Sequence, residues 1–192
     1  MAGDLLSRGL RWAVRRARIC WYQQLSTIAL PGATLVSPVL AVGAGSIVVS
    51  GSRLGYWPSP LLFDGCIHLE ARQPDSSIAI SQGTTLNNGA VIISDGPGIS
   101  IGRDCLIGPG VQIYDSDFHS VDQDRRDAPA RQAAVRIGER VFIGTGVIIC
   151  KGVNIGDGAV IGAGSVLTSD IPPGSLAAGN PCRVLGSTVG VS

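Results

Sequence analysis

Residues 137–168 read IGERVFIGTGVIICKGVNIGDGAVIGAGSVLT, with an aliphatic residue at every sixth position: Ile137, Ile143, Ile149, Ile155, Ile161 and Leu167. Glycine follows four of the six, at Gly138, Gly144, Gly156 and Gly162. An α-helix returns to its buried face about every 3.6 residues and a strand every two, so an apolar residue at strict intervals of six suits neither a helix nor one long strand. It suits a short strand followed by a tight turn. Three such units close a triangular coil of about 18 residues, with the aliphatic side chains stacked inward as ladders and small residues at the corners. The pattern predicts an all-β solenoid of parallel strands.

The phase extends upstream. Ile113 lies four periods before Ile137, and Ile107 and Ile101 keep step with it. Ile80, Leu86 and Ile92 form a further set offset by three, which places Asp95-Gly96-Pro97 in a short corner insertion. Val36, Val42 and Val48 read as an earlier, poorer set. Residues 52–77 break the phase and carry Tyr56-Trp57-Pro58-Ser59-Pro60, Phe63, His68 and Glu70. There His68 reads as structural, and the aromatics as either core or a sugar platform.

At 192 residues the chain can bury one sizeable core. Its 45% hydrophobic and 15% charged content excludes a disordered polyelectrolyte, and a net charge of +1 argues against a nucleic-acid partner. No apolar run reaches the ~18–20 residues needed to span a bilayer. Five cysteines without a CxxC pair, and no signal peptide, predict free thiols in a reducing cytoplasm. The single lysine, Lys151, receives no role.

Residues 4–25 read as a basic amphipathic helix. Leu6, Leu10, Ala13, Val14, Ala17, Trp21 and Leu25 form one stripe, with Arg8, Arg11, Arg15 and Arg18 opposite. The stripe either caps the first coil or the helix lies on an anionic membrane surface, the two being compatible if the arginines meet headgroups while the stripe meets protein. The expected division is residues 1–30 as this helix, 31–171 as the solenoid with a loop at 114–136, and 172–192 as an extension. Pro172 and Pro173 are expected to end the strand pattern, Leu176 to Leu185 to lie back along the coils, and residues 186–192 to fray.

The loop interrupts the repeat between Ile113 and Ile137, with Tyr114-Asp115-Ser116-Asp117-Phe118-His119 followed by Asp122, Asp124, Arg125, Arg126, Asp127 and Arg131. A segment ejected from a regular solenoid has no core role, so function is the first expectation.

The tandem Ile-Gly units at Ile143 to Leu167, with the tail Asp170-Ile171-Pro172-Pro173-Gly174 and Ala177-Ala178-Gly179-Asn180-Pro181-Cys182-Arg183-Val184, resemble the hexapeptide-repeat acyltransferases. Within them the tail looks like that of the maltose and galactoside O-acetyltransferase branch, and the loop is more like those of exopolysaccharide and O-antigen sugar acetyltransferases. The resemblance implies a left-handed parallel β-helix, acetyl-CoA as acyl donor, a sugar or lipid-linked glycan acceptor, and a homotrimer with sites between subunits. It assigns His119 as general base, a role that imidazole fits near neutral pH. It places Asn88 at the acceptor or transition-state site, and Gly144, Thr145, Gly162, Ala163, Thr168 and Arg183 along the coenzyme. Ser169 stands where relatives often carry lysine.

Asp115 and Asp117 are candidates to bind acceptor hydroxyls, since paired carboxylates accept from them well. Asp117, Asp122, Asp124, Asp127 or a backbone carbonyl would orient His119. The expected activity is sugar O-acetylation in the cytoplasm or at the inner membrane face. N-acetylation of an amino sugar nucleotide and a non-catalytic scaffold are the alternatives. Two histidines are too few for the zinc hydratase built on the same solenoid, so no metal is expected.

Overall fold

A computed structural model describes residues 2–120, 122–126, 128 and 130–188, and of residues 2–7 the backbone alone. The chain winds into a parallel β-helix with three faces of eight, six and five strands. Successive strands visit the faces in that order. We call the bend from the eight- to the six-stranded face the first corner, the next the second, and the return to the eight-stranded face the third.

The six-residue period is the spacing of one face and one corner. On the eight-stranded face Leu54, Leu86, Ile107, Ile143, Ile161 and Ala177 stand in register. On the six-stranded face Leu69, Ile92, Ile113, Ile149 and Leu167 do so, and on the third Ile80, Ile101, Ile137 and Ile155. All are buried. Each aliphatic side chain withdrawn from water contributes about 1.5–3 kcal/mol, and three ladders of them form one continuous core.

Gly144 permits the coils to stack at the first corner. A Cβ there would sit 2.6 Å from the backbone nitrogen of Ala163 on the next coil. Gly108, one coil earlier, would likewise meet the nitrogen of Thr145 at 2.8 Å.

Three expectations need correction. In the first coils the inward residues are Ala41 and Ile47, one position before Val42 and Val48, and Val48 is exposed. Apolar residues flank one another there, so hydrophobicity does not reveal which of two alternating side chains points inward. Second, the solenoid continues past Pro172-Pro173, which form a third corner where no ladder donor is required. Ser175–Ala178 still pairs parallel with Val160–Ile161. Arg183–Ser187 then turns back antiparallel along this strand and covers it, and Thr188 donates its N–H to Gly174 at 2.7 Å. The frayed tail therefore does not begin at 186; residues 189–192 lie outside the described set.

The third correction concerns the helix α1, Ala2–Leu25. The anticipated stripe faces away from the coils, with Leu10, Val14, Trp21 and Leu25 all exposed, whereas Ile19 is buried. The arginine side faces the body instead, because the turn at 61–65 presents carbonyls that need donors. Arg18 donates to Leu62 O at 2.9 Å and Gly65 O at 2.8 Å. Capping is the work of the next segment: Thr27 and Ile28 donate to Ala41 O, and Ile28 and Leu30 pack on the core. Among the described residues no helix is long and apolar enough to cross a membrane.

Candidate functional site

The loop leaves the second corner after Gln112–Tyr114 and rejoins at Val135–Ile137. Its base is stapled. Asp117 N–H donates to Arg131 O at 3.0 Å, Ala133 N–H to Asp115 O at 2.9 Å, and Ser116 bridges Gln132. Gln132 Nε2 reaches back to Asp95 O at 2.6 Å.

Asp115 belongs to this staple and not to a ligand surface. It is fully buried, accepting from Ser94 Oγ at 2.7 Å and from the N–H groups of Asp95 and Gly98 at 2.8 and 2.9 Å. Its oxygens hold the Asp95–Gly98 corner, and with no exposed surface they do not reach an acceptor sugar, which corrects the expected role.

Asp117, half-buried, takes Lys151 Nζ at 2.6 Å. Lys151 sits one coil further on at the same corner. Its type gave no signal in the sequence; a lone lysine declares itself only through the carboxylate that the coil brings to it. Phe118 has φ +60, which turns the chain back so that His119 N–H donates to Asp117 O at 2.7 Å. The Phe118 ring is clasped by Tyr114 edge-on, with centroids 5.6 Å apart, and by the Arg72 guanidinium 4.8 Å from its centroid.

Arg72 is steadied by Glu70 at 2.8 Å, and Glu70 by His68 at 3.1 Å, which gives His68 the structural place expected. Burial works to raise the Glu70 carboxyl, but the hydrogen bonds and charges of Arg72 and His68 outweigh it and hold it below the usual carboxylate range.

His119 is exposed on this platform, and among the described residues none hydrogen-bonds to its ring. Of the proposed orienting groups, Asp117 is engaged by Lys151, and Asp122 caps the short helical turn Gln123–Arg125 by accepting from Asp124 N–H. Asp127 lies outside the described residues.

Asn88 is fully buried, and its amide is spent on the loop that follows Ser52–Leu54. Oδ1 accepts from Tyr56 N–H at 3.0 Å, and Nδ2 donates to Tyr56 O at 3.0 Å and Pro60 O at 2.9 Å. It cannot also serve an acceptor or an oxyanion, so its expected site role is corrected to a structural one. Its neighbour Asn87 is half-buried and uses Oδ1 on Asn88 N–H at 2.8 Å, leaving Nδ2 as an outward donor.

Gly144, Thr145, Gly162 and Ala163 all lie at the first corner, two and three coils beyond Asn87. Thr145 and Ala163 are exposed, and Gly164 N–H donates to Thr145 O. Exposed Arg183 borders them at the start of the antiparallel strand. Thr168, by contrast, is at the second corner with Lys151 and the His119 loop. The chain from Ala163 to Thr168 crosses the six-stranded face, on the order of 15 Å at ~3.3 Å per residue. Within one chain the expected coenzyme wall and the expected base thus occupy different edges.

Burial pushes the thiols of Cys105, Cys150 and Cys182 up, so none of these offers a thiolate near neutral pH. No cluster of three or more potential metal ligands occurs among the described residues.

A family model of the bacterial transferase hexapeptide, six repeats, matches residues 134–169, and one of the hexapeptide repeat of succinyl-transferase matches residues 87–115. Over these stretches the chain carries the hexapeptide repeat of the bacterial acyltransferase family. Its coil is the left-handed parallel β-helix of that family. It is 47% identical to nodulation protein L of Rhizobium meliloti strain 1021 over 57% of its own length and 60% of that protein's. Among solved structures it resembles a hexapeptide-repeat acetyltransferase of Vibrio cholerae complexed with acetyl-CoA, at 26% identity and TM-score 0.56, covering 91% of this chain and 87% of the other. A galactoside acetyltransferase in complex with coenzyme A matches at 30% identity and TM-score 0.52, covering 76% and 65%. The chain spans between 33% and 60% of the length of the curated relatives it matches.

Proposed function

We propose that the protein transfers an acetyl group from acetyl-CoA to a hydroxyl of a sugar or polysaccharide precursor, with His119 as general base. The observation that carries this is the exposed imidazole held on a stapled loop at the second corner, in a coil whose solved relatives bind acetyl-CoA or coenzyme A.

In the reaction a ring nitrogen of His119 takes the proton of the acceptor hydroxyl as its oxygen attacks the thioester carbonyl carbon. The tetrahedral intermediate collapses with cleavage of the C–S bond, and the imidazolium returns the proton to the departing coenzyme A thiolate. A positioned base contributes about 10² to 10⁴ in rate, and a donor to the developing oxyanion adds a comparable factor. Asn87 Nδ2 is the side-chain donor we assign to that second task.

On the donor side, Thr145 and Ala163 offer a low polar wall for the pantetheine arm, with Thr168 beyond the face and Arg183 toward the phosphates. Because base and wall lie on different edges of one chain, the working unit of this proposal is a homotrimer in which one copy's loop meets another's wall. With acetyl-CoA as donor, we read the reaction as cytoplasmic.

The test is thiol release from acetyl-CoA across free sugars, amino sugars, nucleotide sugars and lipid-linked oligosaccharides. His119→Ala should lower turnover by about 10² to 10⁴ while the circular dichroism spectrum is unchanged, since the side chain is exposed. Wild-type rates in the variant would sink the assignment, and activity confined to amino sugars would turn the reading to N-acetylation.

A further inference from the structure

The arginine side of α1 and the loop it faces enclose a second concavity, separate from the loop that carries His119. Arg8, Arg11, Trp12 and Arg15 on the helix, with Trp57 and Phe63 opposite, line a cleft of about 420 Å³. That volume lies within the ~300–1,000 Å³ range of small-molecule sites. Its walls are fixed from below. The buried Asn88 amide ties down residues 56–60, and Arg18 ties down the carbonyls of Leu62 and Gly65. Trp57 and Phe63 meet edge to face with centroids 5.9 Å apart.

The charge on the walls of this cleft calls for a ligand. Arg8 and Arg15 both line it, and among the described residues neither has a carboxylate within ion-pair distance. Guanidinium groups that line a cleft without a counter-charge have an oxyanion as their natural complement. The aromatic rings beside the cations suit the C–H faces of a sugar more than a further charge. A phosphate ester offers three oxygens that separate guanidinium groups can share, where a carboxylate offers two.

The geometry points to a phosphorylated sugar as the ligand of this cleft. Arg8 and Arg15 take the phosphate, and Trp12, Trp57 and Phe63 flank the ring. The inference rests on the sugar-acceptor reading and deepens it: the acceptor is a phosphate-bearing glycan precursor, anchored on the first coils by a part that does not react.

Binding can be read without acetyl-CoA from tryptophan fluorescence, since two of the three tryptophans line the cleft. The probes are N-acetylglucosamine 1-phosphate, UDP-N-acetylglucosamine, unphosphorylated N-acetylglucosamine, inorganic phosphate and phosphatidylglycerol vesicles. At least one of the two phosphorylated sugars should bind saturably, at least about tenfold more tightly than the neutral sugar or inorganic phosphate, and Arg15→Gln and Arg8→Gln should each weaken it about tenfold or more.

Arg8 is exposed, so Arg8→Gln should melt as wild type does and keeps the test decisive if Arg15→Gln fails to fold. Equal binding of the two phosphorylated sugars would show that the sugar phosphate suffices; tighter binding of the nucleotide sugar would bring the base into the cleft. No saturable binding, undiminished binding by Arg8→Gln, or binding to vesicles alone would overturn the inference. Protein that turns over acetyl-CoA yet ignores every probe refutes this inference only, and protein that binds the probes but never releases thiol refutes the acetyltransferase reading only.

Discussion

Asn88 and Asn87 are adjacent and chemically identical, yet their surroundings give them opposite work. The Asn88 amide replaces water for the backbone of residues 56–60, and nothing else in the interior could do so. Asn88→Ala should therefore lower the free energy of unfolding by about 2–3 kcal/mol, the cost of leaving buried backbone groups unmatched. Asn87→Ala should cost less than about 1 kcal/mol and act on turnover instead. Urea denaturation of both variants decides it: equal losses would mean that the burial difference has no energetic weight.

The same pair shows where reading from sequence stops. Asn88 and Asp115 attract a functional reading because polar residues inside a repeat are conspicuous, but a sequence shows the type of a residue and not the partners that saturate it. His119 is legible because its loop interrupts a six-residue phase that resumes in step beyond it, and because the loop resembles that of the sugar acetyltransferases; His68 lies in the other break, at 52–77, without such a likeness. Lys151 is illegible for the converse reason, since its meaning lies in Asp117, 34 residues away in sequence.

At the scale of the element, the described part of the loop is tied to the coils at several points. Its base is closed by backbone pairs, its turn by the clasp on Phe118, and its flank by the Asp117–Lys151 ion pair. Lys151→Met keeps most of the aliphatic stem and removes the charge, leaving a half-buried carboxylate two residues from the base.

A displacement of the reacting group by about 1 Å can cost on the order of 100-fold. Steady-state kinetics should accordingly give a kcat about ten- to a hundredfold lower with KM for acetyl-CoA nearly unchanged and the melting temperature within a degree or two, and Lys151→Arg should recover part of the loss. An unaltered kcat would show that the loop keeps its shape without the pair. The helix is the element that periodicity describes least well. Its amphipathic pattern is real, but a pattern identifies two faces and not which one the body takes. Here Arg18 goes inward because the carbonyls of Leu62 and Gly65 accept from its guanidinium, which no count of apolar residues registers.

For the whole molecule, the coil was legible nearly throughout because three stacked ladders require aliphatic residues at fixed intervals, and the errors fell at its two ends, where neighbours on one side are missing. What a single chain does not provide is convergence: His119 is at the second corner and the Thr145–Ala163 wall at the first. Exposed Leu106 and Phe142 on the eight-stranded face supply apolar surface for another copy to cover.

If each site takes its base from one copy and its wall from the next, two inactive variants can repair each other. His119→Ala keeps the wall, and Ala163→Trp keeps the base while filling the groove with a side chain that the exposed corner tolerates. Unfolded together in equal amounts and refolded, random trimers place an intact base against an intact wall at about one site in four, being one half times one half. Thiol release should recover to about a quarter of the wild-type rate, while each variant refolded alone stays inactive. A mixture as silent as its components would mean that each chain builds its own site, with the coenzyme lying across the six-stranded face to join the two corners.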